Sequence, residues 1–180
     1  APDESIARDD GRILKSIWKL LDEADIVIAQ NGDKFDIRKL NARFIVNGIY
    51  PPSPFRTVDT LKVARREFQF DSNSQDYLTK LLKLEQKRKT DFQLWIDCMA
   101  GDQKRLDEMV KYNRHDVMGL EELYLKFRPY IKNHPNLGVL MDMDFCPNCG
   151  CEHLDETEAT YFTSANQFPV YRCQGCKTPY

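Results

Sequence analysis

The sequence predicts an α/β domain followed by a small metal-bound appendage, and three observations predict it. Asp25-Ile-Val-Ile-Ala-Gln30 is a short, apolar, β-branched run of the kind found in strands covered on both faces of a parallel sheet. Around it, helical periodicities alternate with strand and turn signals. Five of the six cysteines (Cys146, Cys149, Cys151, Cys173 and Cys176) fall within the last 40 residues, while Cys98 stands alone.

The elements follow in order. Asp9 and Asp10 are placed to cap a helix with Ile13, Leu14, Ile17, Trp18 and Leu21 on one face. The buried strand comes next, and Asn31-Gly-Asp33 is a turn signal. Phe35 to Asn47 is helical by its apolar spacing, with Gly48 as the stop. Tyr50-Pro-Pro-Ser-Pro54 is an extended loop, and Thr57-Val-Asp-Thr60 is a brief strand leading into a helix through Phe68. Ser74 caps a helix that turns Tyr77, Leu78, Leu81 and Leu82 inward. Phe92 to Met99 is a further helix, and Asp102 to Phe127 is helical with a break expected near Asn113. Short strands surround the cysteines after Met141.

Composition bounds the function. With 42% hydrophobic and 30% charged residues over 180 positions, the chain can bury a core. No apolar run approaches the ~18 residues of a membrane span, so no membrane association is expected. The opening Ala-Pro-Asp-Glu has neither a basic nor an apolar leader region, which points to the cytoplasm. A net charge of −2 excludes a uniformly basic surface for nucleic acid, yet permits a local basic patch. Charge also divides the chain: residues 141–180 carry six acids and two bases, and the rest carry 22 acids and 24 bases. A boundary is therefore placed near Pro135 to Leu140, giving domains 1–138 and 139–180.

Cys146-Pro-Asn-Cys149 and Cys173-Gln-Gly-Cys176 are two C-x-x-C pairs separated by 23 residues. Two intervening residues let one tight turn present both sulfurs to one ion, and four thiolates suit tetrahedral Zn²⁺. Gly150 and Gly175 suit the left-handed backbone of such turns. The arrangement resembles a zinc ribbon, with Zn²⁺ in a structural role. Cys151 and His153 are spare donors, or else a surface thiol and a surface imidazole.

A second ligand set is carboxylate. Asn31-Gly-Asp-Lys-Phe35-Asp36 follows the buried strand, and Tyr112-Asn-Arg-His-Asp116 puts a phenol and a carboxylate on one face of a helix. Oxygen ligands suit Mg²⁺ or Mn²⁺, and two such ions ~4 Å apart can activate water for phosphodiester cleavage. Taken singly, Asp36 reads equally as a helix cap, Asp116 as a solvated charge, and Tyr112 or Phe35 as core.

Asn-x-x-x-Phe-Asp followed some 80 residues later by Tyr-x-x-x-Asp resembles the second and third motifs of the DEDD exonucleases. These belong to the RNase H-like group that includes polymerase proofreading domains. Tyr112 is similar to the tyrosine branch, as is the text of Ala24–Asn31, Val58–Leu61, Tyr112–Val117 and Leu120–Tyr124. The resemblance covers roughly residues 9–135. It implies a mixed sheet of five strands flanked by helices, two Mg²⁺ or Mn²⁺ ions, and 3′→5′ hydrolysis of nucleic acid, with single-stranded DNA ahead of RNA. It implies metal binding and catalysis by Asp36 and Asp116, water positioning by Tyr112, and substrate contact by Asn31 and Phe35. A polymerase or another replication or repair protein is the implied partner, in a bacterial or phage-infected cell. Asp59 receives no role.

One motif departs from the pattern. The family's first motif, Asp-x-Glu on the central strand, is absent; the nearest sequence is Asp142-x-Asp144 beside the cysteine pairs. The expectation is that the chain is the C-terminal part of a longer protein, inactive by itself and lacking its first strands. The alternative is a degenerate homologue that binds nucleic acid or a partner without cutting. Lys80, Lys83, Lys87, Arg88 and Lys89, with Arg65-Arg66, offer phosphate contacts or a solvated face. Tyr161, Phe162, Phe168 and Tyr171 can stack on bases or pack around the metal knuckles.

Overall fold

The computed structural model describes residues 1–84, 91–141 and 145–180. The chain separates into two compact units, Ala1–Tyr124 and Leu125–Tyr180. Among the described residues, no helix is long and apolar enough to cross a membrane.

The first unit begins with α1 (Pro2–Ala7) and α2 (Gly11–Glu23). Asp9 caps α2 by accepting the Gly11 N–H at 2.9 Å. Asp10, expected to share that task, instead forms a two-pronged ion pair with Arg43 of the next helix at 2.6 and 2.7 Å. Most of the apolar face of α2 behaves as its spacing predicts: Leu14 and Leu21 are buried with Phe44, and Ile17, Trp18, Val27 and Leu40 pack against them, but Ile13 is exposed.

Strand β1 (Ile26–Ala29) pairs in parallel with β2 (Arg56–Asp59), with Ile26 opposite Arg56 and Ala29 opposite Asp59. The parallel pairing agrees with the β-branched run. Among the described residues this sheet has two strands, paired in parallel, fewer than the five the resemblance implies, in keeping with the expectation that the first strands are lacking. With one edge of β1 unpaired among the described residues, its residues are half-buried rather than buried on both faces.

Between the strands runs α3 (Asp36–Val46), and Gly48 takes the left-handed conformation that ends it, φ 66°. The Trp18 indole N–H donates to the Tyr50 carbonyl at 2.7 Å and pins the extended loop to α2. Helix α4 (Thr60–Glu67) leaves β2 directly, and α5 (Gln75–Leu81) is capped by the Ser74 hydroxyl, which accepts the Tyr77 N–H. Leu78 is fully buried, but Leu81 is exposed and Thr79 fills its expected place. The Thr79 hydroxyl makes that burial tolerable by donating to the Gln75 carbonyl one turn back.

Asp91 caps α6 (Phe92–Met99), and Asp102 accepts the N–H groups of Lys104 and Arg105 at the start of α7 (Gln103–Phe127). No break occurs at Asn113, because that exposed side chain costs a helix interior only a few tenths of a kcal/mol, about 0.7 at most. Pro129 converts the end of α7 into a 3₁₀ turn, Arg128–Tyr130.

The second unit holds that turn, α8 (Leu137–Met141), and an antiparallel hairpin of β3 (Leu154–Phe162) and β4 (Gln167–Cys173). Its buried centre is Cys146, Cys173 and Cys176, against which Cys149, Cys151 and Leu154 pack.

Candidate functional site

Four sulfurs form the clearest site. The Cys146, Cys149, Cys173 and Cys176 sulfurs all lie within 4.8 Å of one another. Cys146 and Cys176 are 3.6 Å apart, and Cys149 and Cys173 are 3.5 Å apart. Bonds of ~2.3 Å to a tetrahedral zinc require sulfurs about 3.8 Å apart, so the donor set fits that ion.

Each C-x-x-C turn closes in the same way. The Gly150 N–H donates to the Cys146 carbonyl at 2.9 Å, and the Lys177 N–H donates to the Cys173 carbonyl at 3.0 Å. Both residues have positive φ, 75° and 63°. The left-handed position of the second turn therefore belongs to Lys177, not to Gly175 as the sequence suggests. Gly175 is needed for space, since a Cβ there would sit 3.1 Å from the Cys151 Cβ. The Gly175 N–H also points at the Cys173 sulfur, 3.3 Å away.

Electrostatics show what the ion would supply. Burial opposes the Cys173 thiolate, but the Cys176 N–H and the Cys149 and Cys146 thiols outweigh it and bring this group down to about 6. Burial, with the neighbouring sulfurs, pushes Cys149 up to about 12, and burial raises Cys146 as well. Burial thus opposes thiolates at Cys146 and Cys149, and a divalent cation would supply the charge that offsets it. Asn148, 3% exposed, braces the cage by donating to the Thr178 hydroxyl at 2.7 Å and to the Arg128 carbonyl at 2.8 Å. The sequence reading missed Asn148 and Thr178, which carry no motif. Cys151 lies outside the four-sulfur group, and its thiol faces the His153 carbonyl at 3.8 Å.

The second candidate site lies at the carboxyl ends of β1 and β2. Asn31 takes φ 63°, and its carbonyl accepts the N–H groups of Lys34 and Phe35. Gly32 is required in this turn, because a Cβ there would lie 2.3 Å from the Ala29 Cβ. Phe35 is 65% exposed, so its alternative reading as core fails. Asp36 is exposed at the first position of α3 and makes no capping bond, so it is not the helix cap either.

Asp59 is the residue whose role sequence reasoning missed. It is 5% exposed, and one oxygen accepts N–H groups from Asn31 at 2.9 Å, Leu61 at 3.0 Å and Lys62 at 3.4 Å. One carboxylate thus caps α4 and fixes the turn that carries Asn31 and Asp36. The signal was present in Asp59-Thr-Leu, an acid directly before a helix. Next to it, Lys62 pairs with Asp33 at 2.5 Å. Burial pushes the Asp33 carboxyl up, but hydrogen bonds from Lys62 and Thr57 outweigh it and hold the group below the usual carboxylate range.

The third-motif residues sit on α7, with Tyr112 buried and Asp116 half-buried one turn later. Two amides connect them to the first strand. Gln30, at the end of β1, donates to the Asn73 carbonyl at 3.0 Å, and Gln75 donates to the Asp116 carbonyl at 2.8 Å. The 73–75 segment is therefore the bridge between the two motif-bearing elements. Among the described residues, the one group of three or more close ligands is the four cysteines, so Asp36 and Asp116 belong to no group of that size. Two carboxylates cannot balance two divalent ions ~4 Å apart, so this donor set does not fit a two-ion centre. Of the basic run, Lys80 pairs with Asp76 at 2.6 Å, while Lys87, Arg88 and Lys89 lie outside the described residues, as do Asp142 and Asp144.

A family model described as RNase_H superfamily matches residues 4–128, which include β1, β2, the Asn31–Asp36 turn and the Tyr112–Asp116 helix face. Nothing matches among the curated proteins or the solved structures. A match over well more than half of its length settles the affiliation: the chain belongs to the RNase H superfamily.

Proposed function

We propose that this chain is the nucleic-acid-processing part of a 3′→5′ exonuclease of the DEDD type, tyrosine branch, with a structural zinc ribbon as its tail. The supporting observation is the superfamily match across a turn at the end of β1 and a helix face that carry Asp36, Tyr112 and Asp116. Membership suggests a nuclease acting on nucleic acid. The tyrosine before the last Asp and the order of the motifs favour the exonuclease reading, with single-stranded DNA ahead of RNA and a polymerase or another replication or repair protein as partner. The domain division near residue 138 belongs to the same proposal.

In this reading Asp36 and Asp116 would hold divalent cation only together with the carboxylates of an Asp-x-Glu strand, and the Tyr112 phenol would orient a water. Mg²⁺ or Mn²⁺ would supply charge neutralisation at the phosphodiester. Asp59 and Gly32 keep the Asn31–Asp36 turn in place, and Gln30 and Gln75 hold β1 and α7 to one segment. A second reading, nucleic-acid or partner binding without cleavage, is favoured by the lack of Asp-x-Glu in these 180 residues.

One experiment separates them. The 180-residue chain, and the same chain joined to an N-terminal strand carrying Asp-x-Glu, are each incubated with end-labelled single-stranded DNA or RNA in Mg²⁺ or Mn²⁺. The exonuclease reading expects negligible release from the first and stepwise 3′ release from the second. In the second, Asp116→Ala should abolish release, and Tyr112→Phe should slow it by about 10²–10⁴-fold. Binding without release in every protein would establish the second reading. Release indifferent to Asp36→Ala and Asp116→Ala would refute the site.

A further inference from the structure

The β3–β4 hairpin carries an apolar surface that the zinc cage does not use. Tyr161 and Phe168 face each other in register and share one face of the ribbon; Phe162, one residue on, belongs to the other face. They are 63%, 49% and 68% exposed. The aromatics expected to pack around the knuckles therefore stand clear of them, save Tyr171, whose ring lies 6.2 Å from that of Tyr180. An isolated two-stranded ribbon is marginal in water, and one cross-strand pair accounts for Tyr161 and Phe168 but not for Phe162 on the opposite face.

Charge selects the occupant. Asp155, Glu156 and Glu158 are exposed along β3, and no lysine or arginine occurs between His153 and Tyr171. Arg172, at the base, donates to the Lys177 carbonyl. Platforms that stack nucleic-acid bases pair aromatic rings with a positive groove for the backbone, and this ribbon has the opposite sign. A second copy of the hairpin would bring like charges together. We infer that the hairpin tip docks a basic protein segment in which apolar side chains alternate with lysine or arginine. Apolar groups would cover Phe162, and the cations would meet Asp155, Glu156 and Glu158. The inference does not depend on the nuclease reading.

The test uses the zinc-loaded 180-residue chain and three fluorescent probes: a peptide alternating lysine with leucine, its glutamate–leucine counterpart, and oligothymidine. Binding of the lysine peptide alone is expected, weakening with added salt. Phe162→Ser should weaken it about tenfold, as truncation of an interface aromatic does. Glu158→Lys should also weaken it, with both variants keeping their zinc as proof that the ribbon stays folded. Equal binding of both peptides, binding untouched by the two substitutions, or no binding would overturn the inference. Oligothymidine binding lost with Tyr161→Ser would assign the tip to nucleic acid instead. Self-association abolished by Phe162→Ser would assign it to a second copy.

Discussion

The four cysteine sulfurs lie within 4.8 Å of one another, whereas Asp36 and Asp116, eighty residues apart in the chain, join no comparable group among the described residues. Both sets resemble metal ligands in the sequence. They differ in how far the chain must be organised before the ligands meet. Each cysteine pair is assembled by one turn, closed by one main-chain hydrogen bond, so only two turns need to approach. The positions of Asp36 and Asp116 depend on β1, α3, the 73–75 bridge and α7 all being in place. Short-range geometry is written in spacing. Long-range geometry is written in packing, which spacing does not record.

That contrast can be broken most forcefully at the sulfurs. Cys173→Ser removes a ligand from a cage whose metal, in comparable small modules, contributes on the order of 10–16 kcal/mol to folding. Metal analysis should show its zinc lost, and limited proteolysis should show residues after about 145 cut first, because the cage is the buried centre there. Full zinc retention in this variant would remove Cys173 from the site.

In the first unit the largest expected loss comes from Asp59→Ala. It strips the cap from α4 and leaves the Asn31 N–H without its acceptor, a combined cost of about 2–3 kcal/mol in denaturant unfolding. Asp59→Asn keeps an acceptor and should lose less. Equal losses would mean that the charge, not the hydrogen bonds, holds the turn.

Gly32→Ala comes next. Its methyl group would collide with Ala29, a stiff neighbour on β1, at a cost of about 1–3 kcal/mol. Stability unchanged by this substitution would show that the turn relaxes freely and that the Asn31–Asp36 segment is not fixed by β1.

The smallest effect is a pH dependence. The Asp33 carboxyl is depressed in the folded state, so its contribution is complete above the unfolded carboxylate range and is lost as pH falls through the folded value. The stability difference between wild type and Lys62→Met should be constant above about pH 5 and shrink below about pH 4. A difference that grows toward acid would refute the Asp33–Lys62 assignment.

The sequence made the helices and the cysteine cage legible because local rules govern them. Ser74 caps α5 as expected, and α6 has the predicted limits. Parallel pairing of the β-branched run was also legible. Other features were not. Asp10 left its cap for Arg43, a partner 33 residues away that no local rule names. Asp59 receives no role from the sequence, and only its contact with Asn31 across the strands reveals that it fixes the turn as well as capping α4. Lys177 took the left-handed position expected of a glycine because the second knuckle repeats the closure of the first one residue after its cysteine, whatever residue stands there.

Competitive metal binding tests the contrast most directly. The intact 180-residue chain is dialysed to equilibrium against Zn²⁺ and Mn²⁺ together, and bound metal is measured in wild type, Cys173→Ser and Asp36→Ala. An assembled four-sulfur cage, beside only two motif carboxylates, predicts about one zinc per chain, lost in Cys173→Ser, and little manganese in any of the three proteins. Stoichiometric manganese that disappears in Asp36→Ala would contradict this, because it would show that the carboxylates already form a complete site.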